Sequence, residues 1–456
     1  MVPMDDQNKN LILATVLSAM VILVWMWFFP PAETVADPNA PVATATDGTT
    51  PPAIADATAA TTAAAAAPTE ALPEAPRLTV ETPKLQGTIS MLGGRIDDLS
   101  LKAYHDTVDP TSDLVRLLSP VGKENAYYAL YGWTPAGDLA FEDVPGANTQ
   151  WTVAAGETLT PDHPVTLRWD NGKGLIFTRE IAVDKDYMFT VTQAVENTTA
   201  TPVTLAPYGI VARHGQPKDL QNFFVLHEGV VGRTDGALAE TKYSDVAELD
   251  LVEREAAQAE VIDATTDGWI GFTDKYWMTT LIPGQGKPFT SVTKYVAASD
   301  IYQVETREPA MVVAAGATGT TTTRLFAGAK EWDTIRTYQN EAGIAGFIDS
   351  IDWGWFYFLT KPIFWVLHHL HALIGNMGFA IIALTVVLKA IVFPLAYKSY
   401  VSMARMKELQ PEIEAMKERL GEDRQKIQTE MMKLYKEKKV NPAAGCLPVL
   451  IQSEHK

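Results

Sequence analysis

The spacing of apolar residues changes character several times along the chain. Residues 11–29 (LILATVLSAMVILVWMWFF) form a 19-residue apolar run without a charge. At 1.5 Å per residue a helix of that length approaches the roughly 30 Å hydrocarbon core of a bilayer. Trp25, Trp27, Phe28 and Phe29 crowd its far end, where an interfacial aromatic belt belongs. A cleaved signal peptide would have a basic leader, a shorter core and a small-residue cleavage site. Here the leader carries Asp5, Asp6 and Lys9, and the core ends in bulky aromatics. Residues 1–30 are therefore predicted to be an uncleaved membrane anchor.

From about residue 77 to residue 323 the period falls to two. Segments such as LTVETP (78–83), LIFTREIAV (175–183), YMFTVTQAVEN (187–197), TPVTLAPYGIV (201–211) and TSVTKYVA (290–297) are rich in Val, Thr, Ile, Tyr and Phe. They read as strands. DNGKG (170–174) and PGQGKP (283–288) read as hairpin turns. The pattern predicts a large, mostly antiparallel β domain over 76–346, a sandwich rather than a doubly wound fold. An Ala/Glu-rich stretch, 239–261, is expected to be a helical or loop excursion.

Beyond it the period becomes helical. Within 347–372, Trp355, Phe356, Leu359, Ile363, Val366, Leu367 and Leu370 fall on one side, and Pro362 is expected to bend or break the run. This predicts an amphipathic helix lying at a membrane interface. Residues 374–397 are apolar with one charge, Lys389, and are long enough for a second span. Residues 398–440 carry two apolar stripes. Met403, Met406, Leu409, Ile413, Met416 and Leu420 form one, and Ile427, Met431, Leu434 and Tyr435 the other. Gly421-Glu422-Asp423 separates them, so an antiparallel helical hairpin is predicted, bent at Pro411. NPAAGCLPVLIQ then opens another apolar stretch, 441–456, which stops at SEHK.

Composition explains what joins these parts. Residues 31–75 hold 17 Ala, 9 Thr and 7 Pro, with no aromatic, Lys or Arg. Such a segment buries too little to offset its ordering entropy, and reads as a disordered linker. The formal net charge of -18 is unevenly divided: residues 1–397 have 46 Asp/Glu against 25 Lys/Arg, whereas 398–439 have 11 Lys/Arg against 8 Asp/Glu. Basic flanks stay on the cytoplasmic side. The N-terminus and the hairpin are thus placed inside, and the β domain outside. The acidic total argues against DNA as a partner. The single cysteine, Cys446, excludes an internal disulfide and a four-cysteine zinc site.

Lys389 is the sharpest candidate for function. An intramembrane charge usually faces a bundle interior or a wet cavity, but a lysine near the end of a span also snorkels to the headgroups. Met403, Met406, Met416, Met431 and Met432 offer an adaptable surface for varied apolar segments, or simply pack the hairpin. The hairpin's cations suit anionic lipid or ribosomal RNA. His368 and His371 have helical spacing for a metal, but nothing nearby completes a ligand set, so no metal and no cofactor are expected. His214 and His227 lie among β-domain acids without a catalytic motif. No G-x-S-x-G, P-loop, H-E-x-x-H or dinucleotide pattern occurs, and no enzyme is expected.

The strings DWGWFYFLTKPIFWVLHHLHALIGNMGFAIIALTVVLKAIVFPLAYKSYVSMARMKELQPEIEAMKERLG and QTEMMKLYKEKKVNPAAGCLPVLIQ, covering about 352–452, resemble the bacterial YidC membrane protein insertases of the wider YidC/Oxa/Alb group. The resemblance implies a multi-pass protein of the Gram-negative inner membrane with a periplasmic β-supersandwich. It implies insertion of nascent apolar segments through a hydrophilic groove, alone or with the Sec translocon. It places Lys389 where the family usually has an arginine in that groove, and makes the hairpin a substrate-receiving element. Family members continue with further spans, so the resemblance also implies that this chain stops within an incomplete bundle and is inactive by itself. Two other readings stand beside it. One is an anchored β domain acting as a scaffold or binding module. The other is an anchored carbohydrate-active enzyme, which needs a pair of carboxylates in a cleft; the insertase reading needs no small-molecule substrate.

Overall fold

Residues 175–183 show how the sequence builds the sheets. In the strand Leu175–Val183 the side chains of Leu175, Phe177, Arg179, Ile181 and Val183 are buried, while those between them are partly or fully exposed. A side-chain period of two leaves no other arrangement for a strand with one buried face. The preceding DNGKG turn forms as expected. Asp170 accepts a hydrogen bond from the Gly172 amide, Asn171 accepts from Lys173 and Leu175, and Gly172 takes a positive φ of 69°.

The computed structural model describes residues 75–217, 220, 226–354, 356–420 and 424–438. The expected anchor, almost all of the linker, Trp355, Cys446 and the last apolar stretch lie outside these residues. Among the described residues the strands form two sheets. The first has twelve strands. Its main path runs Leu251–Val252, Ala257–Ala264, Phe289–Val296, Ile301–Arg307, Val203–His214, Tyr127–Ala136, Arg95–His105, Leu85–Ser90, Arg77–Glu81 and Thr158–Leu159. The second has nine, from Ala237–Lys242 through Gly229–Thr234, Gly268–Thr273, Trp277–Ile282, Thr318–Ala329, Met188–Asn197, Leu175–Val183 and Val165–Asp170 to Thr152–Ala155. Pairing is antiparallel except between Arg77–Glu81 and Thr158–Leu159. The sheets pack face to face: Tyr127 meets Phe272 and Trp133 meets Phe177, each with ring centroids 6.2 Å apart. The expected antiparallel sandwich is present.

One expectation needs correction. The stretch 239–261 leaves the sheets only in its middle, and its two ends are strand. A short helix, α1 (Tyr243–Ala247), sits between the strand Ala237–Lys242 and the strands Leu251–Val252 and Ala257–Ala264. Ala and Glu favour helix locally, but pairing with Phe289–Val296 decides the conformation of Ala257–Ala264. The β domain also extends further than expected. Helix α2 (Trp332–Asn340) leads to a 3-10 turn, Phe347–Ser350. Phe347 is fully buried against Trp269 and Phe326, so this turn belongs to the sandwich core and not to the helix that follows.

That helix is α3 (Tyr357–Ile374). Gly375 ends it in the left-handed region, its amide donating to the His371 carbonyl at 2.8 Å. Pro362 lies inside α3 without interrupting it. Helix α4 then runs unbroken from Met377 to Leu420, through both Pro394 and Pro411. The expected second span and first hairpin arm are therefore one helix of 44 residues, about 66 Å long. Helix α5 (Arg424–Glu437) follows. α4 is one helix long and apolar enough to cross a membrane.

Candidate functional site

The helices carry the expected site, and the β domain grips the first of them. Glu331, just before α2, is the anchor. Its Oε1 accepts from the Tyr104 and Tyr187 hydroxyls at 3.0 and 2.7 Å, and its Oε2 from Lys84 Nζ and Thr334 Oγ1 at 2.6 and 2.9 Å. Tyr104 ends a strand of the first sheet and Tyr187 precedes a strand of the second. One carboxylate thus ties both sheets to the start of α2. Burial alone would raise its pKa; the Lys84, Tyr187 and Thr334 hydrogen bonds override that and hold it below the usual range. Burial, helped by the same contact, pushes Tyr104 up to about 12.

The neighbouring Trp332 is held in place by this arrangement and meets α3. Its ring lies 4.7 Å from the His368 ring and 5.7 Å from Phe364, with the Arg336 guanidinium 4.9 Å away. His368 Nε2 is 3.3 Å from Asp333, Lys361 donates to Asp349 at 2.7 Å, and Trp353 meets Phe364 edge-on. Asp352 turns the chain into α3, accepting from the amides of His227 and Gly354. Trp332 and Asp333 are functional contacts that the sequence did not single out; Asp349, an acid near His368 and His371 in the sequence, pairs with Lys361 instead. The available signal was EWDTIRTYQNE, a short amphipathic motif directly ahead of the aromatic run. Trp332→Ala removes an aromatic and a cation–π contact worth about 1–2 kcal/mol together. Hydrogen exchange across α3 is expected to speed up about tenfold, while the thermal unfolding of the β domain stays nearly unchanged.

Two polar groups of α3, Lys361 and His368, therefore meet the β domain, while His369 is exposed beside Trp365. Of the stripe expected on α3, Ile363, Val366, Leu367 and Leu370 are half-buried, whereas Phe356 and Leu359 are exposed. Tyr357, Phe358, Trp365 and Leu373 are exposed as well. His371 is half-buried, and no cluster of three potential metal ligands occurs among the described residues. In the β domain, His227 Nε2 lies 2.8 Å from the Val230 carbonyl, and His214 packs against Tyr128. Burial and the nearby Arg95 lower the His214 pKa.

On α4, Ala380, Leu384, Leu388, Val392, Leu395 and Ser399 recur every three or four residues and are buried or half-buried. Phe379, Ile382, Val386, Lys389, Phe393, Tyr397 and Tyr400 recur likewise and are all exposed. At 100° per residue the two rows lie on opposite sides of the helix. Lys389 sits midway along the exposed row, without an ion-pair partner among the described residues.

The hairpin forms as an antiparallel pair: Glu412 meets Lys438 at 3.1 Å and Arg419 meets Glu430 at 3.4 Å. These exposed pairs contribute little stability. The five methionines separate. Met416 is buried, and Met406 and Met431 are half-buried, whereas Met403 and Met432 are exposed.

Comparison with known proteins adds to this geometry. Residues 77–366 match the family model described as the YidC periplasmic domain, and residues 369–454 that described as the 60Kd inner membrane protein. The membrane protein insertase YidC of Cereibacter sphaeroides is 68% identical, over 98% of this chain and 73% of its own length. The Dinoroseobacter shibae protein of the same name is 65% identical over 98% of this chain and 75% of its own length. Among solved structures, a galactose mutarotase related enzyme from Lactobacillus acidophilus is similar with a TM-score of 0.36 and 10% identity, over 55% of this chain and 97% of that one. A likeness at that level carries no argument about function.

Proposed function

Since the chain belongs to the YidC family of membrane protein insertases, in the Gram-negative form with a periplasmic domain, we propose that Lys389 is the charge that hydrates its substrate groove. The family's function, insertion and folding of membrane proteins, is the function of this chain. It is not catalytic: partitioning of apolar segments into lipid drives the step, and no covalent bond is made or broken. The observation that carries the Lys389 reading is the exposed row on α4. A lysine there, amid Phe379, Ile382, Val386 and Phe393, is costly against hydrocarbon and affordable against water or a polar segment in transit. It would retain water within the bilayer and attract the acidic tails of substrates on their way outward.

In this reading the β domain is periplasmic, the N-terminus and hairpin are cytoplasmic, and α3 lies in the outer interface. The disposition of α3 supports the last point, since Lys361 and His368 turn to the β domain while Tyr357, Phe358 and Trp365 are exposed. The exposed Met403 and Met432 are the methionines available to nascent apolar segments, and Met416 serves the hairpin seam. The Sec translocon is the partner proposed from the family, and the ribosome and anionic lipids at the inner face are those proposed from the hairpin's cations.

Lys389→Ala, made at the matching position of a full-length relative, is expected to reduce insertion of substrates with acidic outer tails about tenfold, the equivalent of one lost charge interaction of about 1.4 kcal/mol. Substrates with neutral tails should be affected less, and Lys389→Arg should retain most activity. Insertion assayed by protease protection of matched substrates would decide. Equal insertion of acidic tails by wild type and Lys389→Ala would sink the reading.

A further inference from the structure

One end of the second sheet carries α3. Four neighbouring strands have their ends there in register: Gly229 pairs with Thr273, Thr273 with Met278, and Trp277 with Ala329. The segment entering α3 is held just before the first of them, where Asp352 accepts from the His227 amide at 2.9 Å. α3 itself is held just after the last, where Trp332 packs on Phe364 and His368. The turn Asp274–Tyr276 joins the two middle strands, so in strand order it lies between these two holds. Four strands spaced about 4.8 Å apart span about 14 Å, which puts the turn about 7 Å from either flank.

Tyr276 at this tip is 55% exposed, and no other Phe, Trp or Tyr of the β domain is exposed among the described residues. Its carbonyl accepts from the Lys330 amide at 2.9 Å, two residues before Trp332. Lys330 Nζ donates to Thr273 Oγ1 at 2.8 Å, the Asp274 amide to the Trp277 carbonyl at 2.9 Å, and Arg213 to the Asp274 carboxylate at 2.9 Å. The Tyr276 ring rests edge-on against Trp277, centroids 5.8 Å apart, and Lys275 Nζ is 5.0 Å from the Tyr276 centroid. Trp277 in turn packs on Tyr104, which donates to Glu331. The tip is thus fixed to the segment that positions α3, and it presents an amphipathic ring with a cation beside it.

We propose that Lys275 and Tyr276 form a second membrane contact of the β domain, with the Tyr276 ring at the headgroup level of the outer leaflet and the Lys275 ammonium on lipid phosphate. The inference rests on the placing of α3 in that interface. The contact is continuous with the face that α3 offers, since Tyr357, Phe358 and Trp365 are exposed on the helix held at either side of the turn. A ring with a polar edge and a neighbouring lysine match this boundary, where acyl carbon and anionic phosphate lie within one side-chain length. One ring is far less than the surface a stable protein partner needs. Helix and tip together fix the roll of the sandwich about the axis of α3, which the helix alone leaves free.

The test uses the full chain in nanodiscs of mixed phosphatidylglycerol and phosphatidylcholine. Cys446→Ser removes the single cysteine. An environment-sensitive fluorophore is then attached through Tyr276→Cys, Phe358→Cys on α3, or Val312→Cys. Val312 is 70% exposed at the opposite end of the sandwich: it pairs with Thr204 near the start of Val203–His214, whereas Arg213, near the end of that strand, reaches the turn. With lipid carrying a nitroxide just below the headgroups, the label at 276 should lose emission as strongly as the label at 358, and the label at 312 should keep it. Lys275→Gln should weaken the quenching at 276 in these membranes and leave it unchanged in pure phosphatidylcholine, where no anionic surface attracts the lysine. A label at 276 as bright as that at 312, beside a quenched label at 358, would overturn the proposal while leaving α3 in the interface. Equal quenching at 276 and 312 would overturn it as well. An unquenched label at 358 would overturn the placing of α3, and the proposal with it. Quenching unaltered by Lys275→Gln in the anionic membranes would overturn the part assigned to the lysine.

Discussion

Glu305→Ala is expected to destabilise the β domain by about 3–5 kcal/mol, the largest loss of any single change considered, because it strips the countercharge from a buried ion cluster. Glu305 and Lys294 are both fully buried and in direct contact. Arg307 Nε donates to Glu305 at 2.7 Å and bridges to Glu255 through Nη1 and Nη2 at 2.8 and 2.6 Å, and Gln303 Nε2 also donates to Glu305. Truncation leaves Lys294 with Glu255 at 3.5 Å as its remaining countercharge. Denaturant unfolding of the variant measures the loss. The double change Lys294→Met, Glu305→Leu should recover most of it, since a packed apolar pair needs no countercharge.

The same cluster sets an acid limit. Burial alone would raise the Glu305 pKa, but Lys294 and Arg307 outweigh it and hold the carboxyl at about 2, below its unfolded value of 4.5. A depressed acid contributes stability that is complete above about pH 4.5 and lost as pH falls toward 2. The midpoint of urea unfolding should therefore decline through that window in the wild type. In the Met–Leu double variant the decline should be shallower.

Gly87→Ala is the second large effect, expected at about 3 kcal/mol, the upper end for inserting one methyl group into a packed structure. A Cβ at Gly87 would overlap the Asp98 carbonyl oxygen and approach its carbon at 2.8 Å. Both belong to backbone of the paired strand Arg95–His105, so no flexible side chain can yield. The pair must separate next to the bulge at Thr88/Ile89. Thermal unfolding should show a lower midpoint. Gly122→Ala, where nothing lies within 4 Å of the new methyl, bears only the strain of its positive φ and should cost less.

Legibility in the sequence followed the range of the interaction. The strand Leu175–Val183, the DNGKG turn and the two hairpin stripes were readable because periods of two and 3.6 are properties of neighbouring residues. Residues 239–261, expected to be a helical or loop excursion, are so only in part for the converse reason: local Ala/Glu composition suited helix, which forms over Tyr243–Ala247, while pairing with the distant strand Phe289–Val296 imposed sheet from Ala257. The junction between α2 and α3 was missed because Glu331 and its partner Lys84 are 247 residues apart. Nothing in either segment announces the other.

The candidate site divides in the same way. The sequence by itself determined that Lys389 interrupts an apolar helix, that the charge changes sign after residue 397, and which family the chain resembles. Each is a property of one contiguous segment. The tertiary structure alone decided that span and hairpin arm are a single helix, that Met416 is buried while Met432 is exposed, and that Lys389 lies opposite the covered side of α4. It also decided that Tyr276, the tip of an ordinary turn, stands between the two points that hold α3. Burial and charge balance depend on which distant segments converge, and strand order across two sheets is not written in any local period.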